Sequence, residues 1–419
     1  MSEKAVADTP EQAEYRAYCK EWLANNKPGS YPKVTQSATV PGQKSQELQD
    51  YQAAWQKKCY EGGLVGCDFP KEYGGGGRTD CQRVANQELA LALSPAFPND
   101  TALRMGAFTL LEHGSEYIKK RFIPKMLSCE EMWCQGFSEP NAGSDVANQE
   151  TFAEKQGDNW VINGQKVWTS NGEWADWMIL ITRTDRSHKH KGLTYFVNPI
   201  KENLGKTVEV RPLIKITGDA GFNEVFFKDM VIPDKYRLDE VGTGWSVAMT
   251  TLKYERDAGG MVSPGVGGRA IASAAAIPLS EMLAKSPLVN LAKNSHRNGK
   301  KASDDSAIRD RIIKCLIRQT AFSQTLRRGA VKGLVDNPSR IPLQIKLVAS
   351  ENGQNTSALG LEIAGAASTL CTAEKETMYM GSTWASAYIA SFGGTIAEGT
   401  SEIQRNQIGE RALGLPKSK

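Results

Sequence analysis

The spacing of hydrophobic residues divides the chain into three zones. In the first zone, up to residue 130, apolar residues recur every three or four positions over residues 11–23 and 46–61, which predicts amphipathic helices. A run of four glycines after Tyr73 interrupts this zone. Because the run lacks a preceding strand and the Gly-x-Gly-x-x-Gly spacing of a dinucleotide-binding loop, we interpret it as a turn.

The second zone, residues 131–240, has the pattern of β-strands. A long β-rich run covers residues 159–169, and Asn163 and Gly164 lie within it. This pair predicts a hairpin turn, since both residues tolerate a positive φ. Shorter β-rich runs separated by turn residues lie at 177–183, 193–197, 208–212 and 223–227. We therefore expect a small, mostly antiparallel barrel or sandwich.

The third zone, from residue 241 on, returns to helical patterns rich in Ala, Leu, Ile and Arg. Helices, then strands, then helices indicate an α+β protein, with domains expected at 1–130, 131–240 and 241–419. The longest apolar candidate, residues 270–279, is too short for the roughly 20 residues that a membrane-spanning helix needs.

Composition and charge exclude several classes of function. The 419 residues carry a formal net charge of +4, and the basic residues are spread along the chain, which argues against nucleic-acid binding. The basic stretch at 187–191 is interpreted as a solvated loop. Eight cysteines and four histidines include no Cys-x-x-Cys pair, so no metal site is expected. The polar start has no apolar segment, so we expect a cytoplasmic protein without disulfides.

Four stretches of the chain carry a resemblance to a known family. They read Cys-Gln-Gly-Phe-Ser-Glu-Pro-Asn-Ala-Gly-Ser-Asp at 134–145, Asn-Gly-Gln-Lys-Val-Trp-Thr-Ser-Asn at 163–171, Phe-Asn-Glu-Val-Phe-Phe at 222–227 and Glu-Gly-Thr-Ser-Glu-Ile-Gln-Arg-Asn at 398–406. Alone, the first could be a turn sequence. In this order and register, the four resemble the acyl-CoA dehydrogenase family over nearly the whole chain.

The resemblance implies the fold, the cofactor and the reaction. The fold would be an N-terminal helical domain, a middle antiparallel β-barrel-like domain and a C-terminal four-helix bundle. The cofactor would be FAD, with no metal. The reaction would convert an acyl-CoA thioester to a trans-2-enoyl-CoA, and the electrons would pass to an electron-transfer flavoprotein.

A flavin that accepts hydride at N5 needs hydrogen-bond donors near N5, N1 and its carbonyl groups, because negative charge builds there. The resemblance implies that Ser170 faces N5, that Trp168 packs on the ring, and that Phe137 and Ser138 contact its pyrimidine side. The complete predicted cofactor site is Phe137, Ser138, Trp168, Thr169, Ser170 and Thr400.

The reaction also needs a base, a carboxylate whose pKa is raised by desolvation, to remove the weakly acidic α-proton of the thioester. Glu398 matches the commoner position of the family's base, and Glu255 matches the position used by a minority of members. We favour Glu398, because its string is the more specific and Gly399 would bring backbone close to the ligand. Two carboxylates in one pocket would raise each other's pKa.

Other roles stay open for these residues. Glu255 could form an ordinary ion pair with Arg256 or Lys253, and Glu398 could be an acid favoured by a helix N-terminus. Arg256 matches a family arginine at the site, although it could also form a structural salt bridge. The residues predicted to contact the substrate are Ser144, which matches a position at the coenzyme's phosphate region, Glu255, Arg256 and Gly399.

Two strings of the family are missing. Most homotetrameric members carry Arg-x-x-Phe-Gly and Gln-x-x-Gly-Gly strings that hold the FAD of a neighbouring subunit. Residues 281–305 contain no such string, and residues 362–367 read Glu-Ile-Ala-Gly-Ala-Ala. This pattern resembles a bacterial branch that acts on steroid or dicarboxylic acyl-CoA thioesters, partly as α2β2 pairs. A homo-oligomer or an α2β2 hetero-oligomer is therefore expected.

Two alternative functions remain at this point. One is an acyl-CoA oxidase, which has the same fold and passes electrons to oxygen. The other is a non-catalytic partner subunit of a heteromeric dehydrogenase, against which the presence of Ser138, Ser170 and both glutamates argues.

Overall fold

The computed structural model describes residues 8–32, 45–256, 283–284, 286–297, 299–329, 334, 340–369, 378–379 and 382–417. The chain divides into two compact units, one formed by Ala7–Ala272 and the other by Ser273–Lys419 together with Met1–Val6. The predicted apolar run at 270–279 lies outside the described residues, and so does the side chain of Arg256.

The larger unit begins with five helices: α1 (Pro10–Asn25), α2 (Gln46–Glu61), α3 (Gln82–Leu91), α4 (Ala107–His113) and α5 (Glu116–Ser128). The predicted helices at 11–23 and 46–61 are confirmed as α1 and α2. Helix α1 begins at a capping box, in which the side chains of Thr9 and Gln12 each bond to the other's backbone N–H. A π-helical turn, Ala102–Gly106, precedes α4.

An eight-stranded sheet follows these helices. Its strands are β1 (Trp133–Gly136), β2 (Phe152–Gln156), β3 (Asn159–Ser170), β4 (Trp177–Arg183), β5 (Leu193–Pro199), β6 (Val208–Ile214), β7 (Ala220–Pro233) and β8 (Arg237–Leu238). The pairing order is β6-β7-β3-β2-β4-β5-β8, and β1 pairs with β4. The predicted strand runs are confirmed as parts of β3 to β7.

The sheet is open, which corrects the barrel-like closure expected for this domain. Its terminal strands β6 and β8 do not pair with each other. Strand β8 has only two residues, so it offers too short a ladder for closure. The sheet is mostly antiparallel, as predicted, although β1 and β2 each run parallel to β4.

The hairpin predicted at Asn163 and Gly164 was wrong, because both residues lie inside the continuous strand β3. The register against β7 shifts between Ile162 and Gly164, and Gly164 has a φ of 147°. The pair therefore forms a β-bulge. The hairpin turn lies earlier, at Gly157 and the residue after it, where β2 passes into β3.

Helix α6 (Gly244–Arg256) belongs to the larger unit. It packs against β5, α4 and the π-helical turn. Val247, Ala248 and Thr251 on its inner face are completely buried. This packing places the last turn of α6, which carries Glu255, beside the π-helical turn.

The smaller unit is helical: α7 (Pro287–Asn294), α8 (Ser306–Gly329), α9 (Pro342–Ala364), α10 (Trp384–Ile396) and α11 (Ser401–Gln407). Its core is formed by α7 to α10, through residues that include Leu291, Leu316 and Ile363. Gly360 allows α9 and α10 to approach closely, because a Cβ atom there would lie 1.9 Å from the Trp384 ring. In the described residues, no helix is both long and apolar enough to cross a membrane.

Candidate functional site

Two of the strings singled out in the sequence lie side by side in the larger unit. The backbone N–H of Val167 in β3 donates to the carbonyl of Ser138, over 2.9 Å. This bond joins the loop after β1 to the end of β3. We call residues 137–139 and 166–170 the bulge site, because the register of β3 against β7 shifts between Lys166 and Thr169.

A buried ion pair holds the bulge site together. The Lys166 ammonium lies 2.7 Å from the Glu139 carboxylate, and it also donates to the Gln149 side chain and, over 3.3 Å, to the Phe137 carbonyl. Glu139 in turn accepts the backbone N–H groups of Glu150, at 2.6 Å, and Thr151, at 3.1 Å. The polar atoms of the pair therefore have partners, as a buried ion pair requires.

The pKa values of this pair favour two charged groups at neutral pH. Burial lowers the pKa of Lys166 to about 8, against the opposing effect of Glu139. Burial alone would raise the pKa of Glu139, but the Lys166 charge and its hydrogen bonds hold that pKa below the ordinary value.

The end of β3 exposes an aromatic residue, Trp168. Trp168 has a φ of 60°, and its side chain is 53% exposed although its neighbours Val167 and Thr169 are buried. Its ring packs edge-on against Phe222, with 5.7 Å between the ring centroids. A positive φ in a bulky residue is a strained conformation that clusters at functional sites.

Thr169 contributes a buried polar atom at the same place. Its Oγ1 has no hydrogen-bond partner among the described residues. Since nearly all buried polar groups are hydrogen-bonded, an unpaired hydroxyl here fits a site that receives a polar ligand. Ser170 is half-buried and pairs with Phe222 in β7.

Phe137 lies within the bulge site, whereas Ser144 lies in the loop after it. Phe137 is buried and packs edge-on against Tyr195, with ring centroids 5.8 Å apart. Ser144 is exposed, and the next residue, Asp145, bonds to Lys189 over 2.7 Å. This bond ties the predicted phosphate-contacting loop to the basic stretch at 187–191.

Glu255 lies half-buried on the last turn of α6. Its carbonyl accepts a hydrogen bond from the Arg104 guanidinium in the π-helical turn, over 2.9 Å. Tyr254 stacks on Phe108, with 4.6 Å between ring centroids and an angle of 15°. Contacts with the π-helical turn and with α4 thus fix the position of the last turn of α6.

A cluster of buried hydroxyl groups fixes α6 one turn earlier. Thr251 Oγ1 lies 3.1 Å from the Tyr195 hydroxyl of β5 and 3.0 Å from the Thr109 hydroxyl of α4. Thr109 also donates to the Met105 carbonyl over 2.8 Å. Burial raises the pKa of Tyr195 far above its ordinary value, so its hydroxyl stays protonated and can donate.

Glu398 lies in the smaller unit, at the turn between α10 and α11. It has a φ of 55°, and Gly399, which follows it, has a φ of 91°. Both carbonyl groups are held: Glu398 O accepts from Gln404 Nε2 at 2.9 Å, and Gly399 O accepts from Lys346 Nζ at 2.7 Å. The Thr400 hydroxyl caps α11 by accepting the N–H of Ile403.

The structure thus brings five of the predicted cofactor residues into one place, the bulge site. Glu255 belongs to the same compact unit, whereas Glu398, Gly399 and Thr400 belong to the other. The sequence interpretation missed the Lys166–Glu139 pair and the hydroxyl cluster. One signal in the sequence could have indicated the pair. A lysine lies within the apolar end of a predicted strand, and both partners belong to strings that also contain the predicted flavin contacts.

Comparison with known proteins decides the family. Three family models match the chain in order: acyl-CoA dehydrogenase N-terminal domain at residues 9–130, middle domain at 134–230 and C-terminal domain at 242–413. The chain is 36% identical to acyl-CoA dehydrogenase IpdE1 of Mycolicibacterium smegmatis, over 97% of this chain and 98% of the relative. The chain belongs to the acyl-CoA dehydrogenase family.

Two further likenesses agree with this assignment. Acyl-CoA dehydrogenase IpdE1 of Mycobacterium tuberculosis is 33% identical, over 96% of this chain and 98% of its own length. The ChsE4-ChsE5 complex from Mycobacterium tuberculosis contains a chain with a TM-score of 0.71 at 24% identity, covering 99% of this chain and 100% of that one. This acyl-CoA dehydrogenase therefore has the fold of that structure.

Acyl-CoA dehydrogenases are flavoproteins, and the cofactor is FAD. The bulge site fits a flavin ring on two observations: an exposed indole at Trp168 and a buried unpaired hydroxyl at Thr169. Phe137, Ser138 and Ser170 would provide the remaining contacts. No group of three or more potential metal ligands occurs within the described part of the chain.

Proposed function

We propose that this acyl-CoA dehydrogenase removes the α-proton of an acyl-CoA thioester with Glu398 and yields a trans-2-enoyl-CoA. The α C–H bond breaks as its proton passes to the carboxylate, and the β-hydrogen leaves with its electron pair as the double bond forms. When bound at residues 137–139 and 166–170, FAD would supply the two-electron acceptor for that hydride. The observation that carries the proposal is the backbone of Glu398.

A left-handed conformation in a non-glycine residue costs about 1–3 kcal/mol and persists only where the surroundings enforce it. At Glu398 that enforcement is visible, because Gln404 and Lys346 hold the two successive carbonyl groups. Such a turn fixes the backbone from which the carboxylate extends, and a base acting on a bound substrate requires a defined starting position.

Glu255 is the alternative base. Its support is the fixed last turn of α6, held by Arg104 at the backbone and by the hydroxyl cluster one turn earlier. The support for Glu398 is stronger, because α6 is an ordinary helix there and shows no backbone strain at Glu255.

Anaerobic reduction separates the two bases. Purified FAD-loaded Glu398→Gln and Glu255→Gln variants would be mixed with butyryl-CoA, glutaryl-CoA and a steroid side-chain CoA thioester, and the 450 nm absorbance followed. We expect only Glu398→Gln to abolish flavin bleaching. Glu410→Gln, in the π-helical turn Ile408–Ala412 after α11, is the matched control and should bleach as the wild type does.

Loss of bleaching in Glu255→Gln alone would move the base to α6. A wild-type protein that binds FAD but bleaches with no thioester would contradict the proposed dehydrogenation for this set of substrates and favour a non-catalytic partner subunit. Rapid reoxidation of the reduced wild type by oxygen, measured with an oxygen electrode, would favour an acyl-CoA oxidase over a dehydrogenase.

We propose a bulky, steroid-derived or dicarboxylic acyl group as the substrate class, and an electron-transfer flavoprotein as the acceptor. Supporting the first is the likeness to a solved "steroid ACAD" of two components, Tcur3481-Tcur3483, with a TM-score of 0.68 and 23% identity over 98% of this chain and 99% of that one. Assembly as a homo-oligomer or an α2β2 pair follows from the same resemblance. A cytoplasmic location stays a prediction.

A further inference from the structure

Lys346 is the one lysine of helix α9, and it reaches the turn that carries Glu398. Its Nζ donates to the Gly399 carbonyl over 2.7 Å. A hydrogen bond from a charged donor is about twice as strong as a neutral one. The contact joins α9 to the start of α11 at the residue after the proposed base.

Several charged groups surround this ammonium. The carboxylates of Glu398, Glu351 and Glu402 all act on it, from the turn, from α9 and from α11. Arg405 of α11 is engaged elsewhere, since it bonds to Glu351 over 2.6 Å. Partial burial lowers the pKa of Lys346 below its ordinary value, and the three carboxylates oppose that shift.

We propose that Lys346 is a positioning residue for Glu398, which fixes the Glu398–Gly399 turn through the Gly399 carbonyl and places a positive charge beside the Glu398 carboxylate. The inference rests on the proposed role of Glu398 as the base. It assigns the lysine two separable effects, one on the geometry of the turn and one on the electrostatic stabilisation of the charged carboxylate.

Each effect has a physical consequence when the lysine is removed. Without the hydrogen bond, Gly399 keeps a φ of 91° with only Gln404 holding the preceding carbonyl, so the turn opens more often. Without the positive charge, the negative Glu398 carboxylate loses a stabilising electrostatic neighbour.

The test uses the FAD-loaded full chain with Lys346→Met, Lys346→Arg and the control Lys314→Met. Lys314 lies on α8 and pairs with Asp310 at the surface, so its loss removes an equal charge elsewhere in the same unit. Two readouts are needed: amide hydrogen exchange of peptides covering residues 397–404, and the pH dependence of α-proton exchange of the steroid side-chain CoA thioester with deuterated water.

We expect Lys346→Met to speed amide exchange in this segment by about tenfold. We also expect it to move the acid limb of the α-proton exchange profile upward by roughly half a pH unit or more. Lys346→Arg should keep the acid limb near its wild-type position, because the charge is retained. Lys314→Met should change neither readout.

An unchanged acid limb and unchanged amide exchange in Lys346→Met would overturn the inference. Glu398→Gln, measured in the same series, distinguishes this from failure of the base assignment. If Glu398→Gln abolishes α-proton exchange while Lys346→Met is silent, only the positioning role is refuted. If Glu398→Gln still exchanges the α-proton, the proposed base is wrong. Because amide exchange needs no substrate, it tests the turn in either case.

Discussion

The ammonium of Lys166 lies 2.7 Å from the carboxylate of Glu139, and the two side chains are only 0% and 3% exposed. The two residues are 27 positions apart in the chain, and they belong to the two stretches that together form the bulge site. Removal of one partner leaves the other charge buried, which is far more destabilising than the loss of a surface pair.

We therefore expect Glu139→Gln to lower the free energy of unfolding by about 3–5 kcal/mol at pH 7, measured by urea denaturation. Asp145→Asn is the matched control. Its pair with Lys189 has the same 2.7 Å separation, but both side chains are 56% exposed. A loss of equal size in both variants would refute a special role for the buried pair.

The same variant should respond to pH in a defined direction. Lys166 has a pKa of about 8 in the folded chain and an ordinary value of 10.5, so the unfolded chain binds more protons between these values. The contribution of Lys166 to the free energy of unfolding therefore rises with pH through that window. It is lost as the pH falls back to the folded pKa. In Glu139→Gln we expect the lost stability to recover as pH rises from about 8 towards 10.5, with a slope of up to about 1.4 kcal/mol per pH unit.

Gly164 and Gly157 allow a comparison of two positive-φ glycines. A Cβ atom at Gly164 would lie 2.6 Å from the Thr151 Cα, whereas at Gly157 nothing lies within 4 Å. Gly157→Ala should lower the free energy of unfolding by about 1–2 kcal/mol, through backbone strain alone. Gly164→Ala should lower the free energy of unfolding clearly more, as measured by thermal or urea unfolding. Equal losses in the two variants would show that the β-bulge at Asn163 and Gly164 can relax.

The hydroxyl cluster predicts an energetic coupling between β5 and α6. Thr251→Val removes the hydrogen-bond partner of the Tyr195 hydroxyl and should lower the free energy of unfolding by about 1–3 kcal/mol. In a double-mutant cycle with Tyr195→Phe, the double variant should cost less than the sum of the single variants. Thr325→Val is a control, since that exposed hydroxyl bonds only to the Ala321 carbonyl of its own helix among the contacts described.

Substitution of Trp168 should weaken FAD binding more than it lowers the stability of the apoprotein. Because its side chain is 53% exposed, Trp168→Ala should cost no more than about 1.5 kcal/mol of apoprotein stability. If the indole packs on the flavin ring, FAD affinity should fall by about tenfold, read from flavin fluorescence on titration of the apoprotein. Tyr117→Ala, at 44% exposure, controls for loss of an exposed aromatic ring. Unchanged FAD affinity in Trp168→Ala would remove the indole from the cofactor site.

How far the sequence predicted the structure depended on the range of each interaction. Helix α2 was predicted over 46–61 because its apolar spacing is a local property. The hairpin at Asn163 was wrong because a local turn signal was overridden by partners far along the chain: the Asn163 side chain bonds to the side chain and N–H of Asp229. Lys166 was overlooked for the same reason, since burial of a lysine depends on a distant Glu139.

The candidate site divides in the same way. The residues of the bulge site could be selected from short strings, because each string contributes its own backbone conformation. The fixed turn at Glu398 depends on Lys346, which lies 52 residues earlier in the chain. No local sequence pattern indicates such a contact. The open sheet likewise depends on which strands fail to pair, which alternation of side chains does not reveal.

The bulge at Asn163 and Gly164 also affects how the protein ages. In a flexible turn, the amide nitrogen of a glycine attacks the side chain of a preceding asparagine, which loses ammonia and becomes aspartate or isoaspartate. Here the Asn163 amide is bound to Asp229 on both its nitrogen and its oxygen, and the peptide is part of a strand. The chain therefore keeps a chemically fragile dipeptide in a conformation that resists deamidation, and the protection should last only as long as β3 and β7 remain paired.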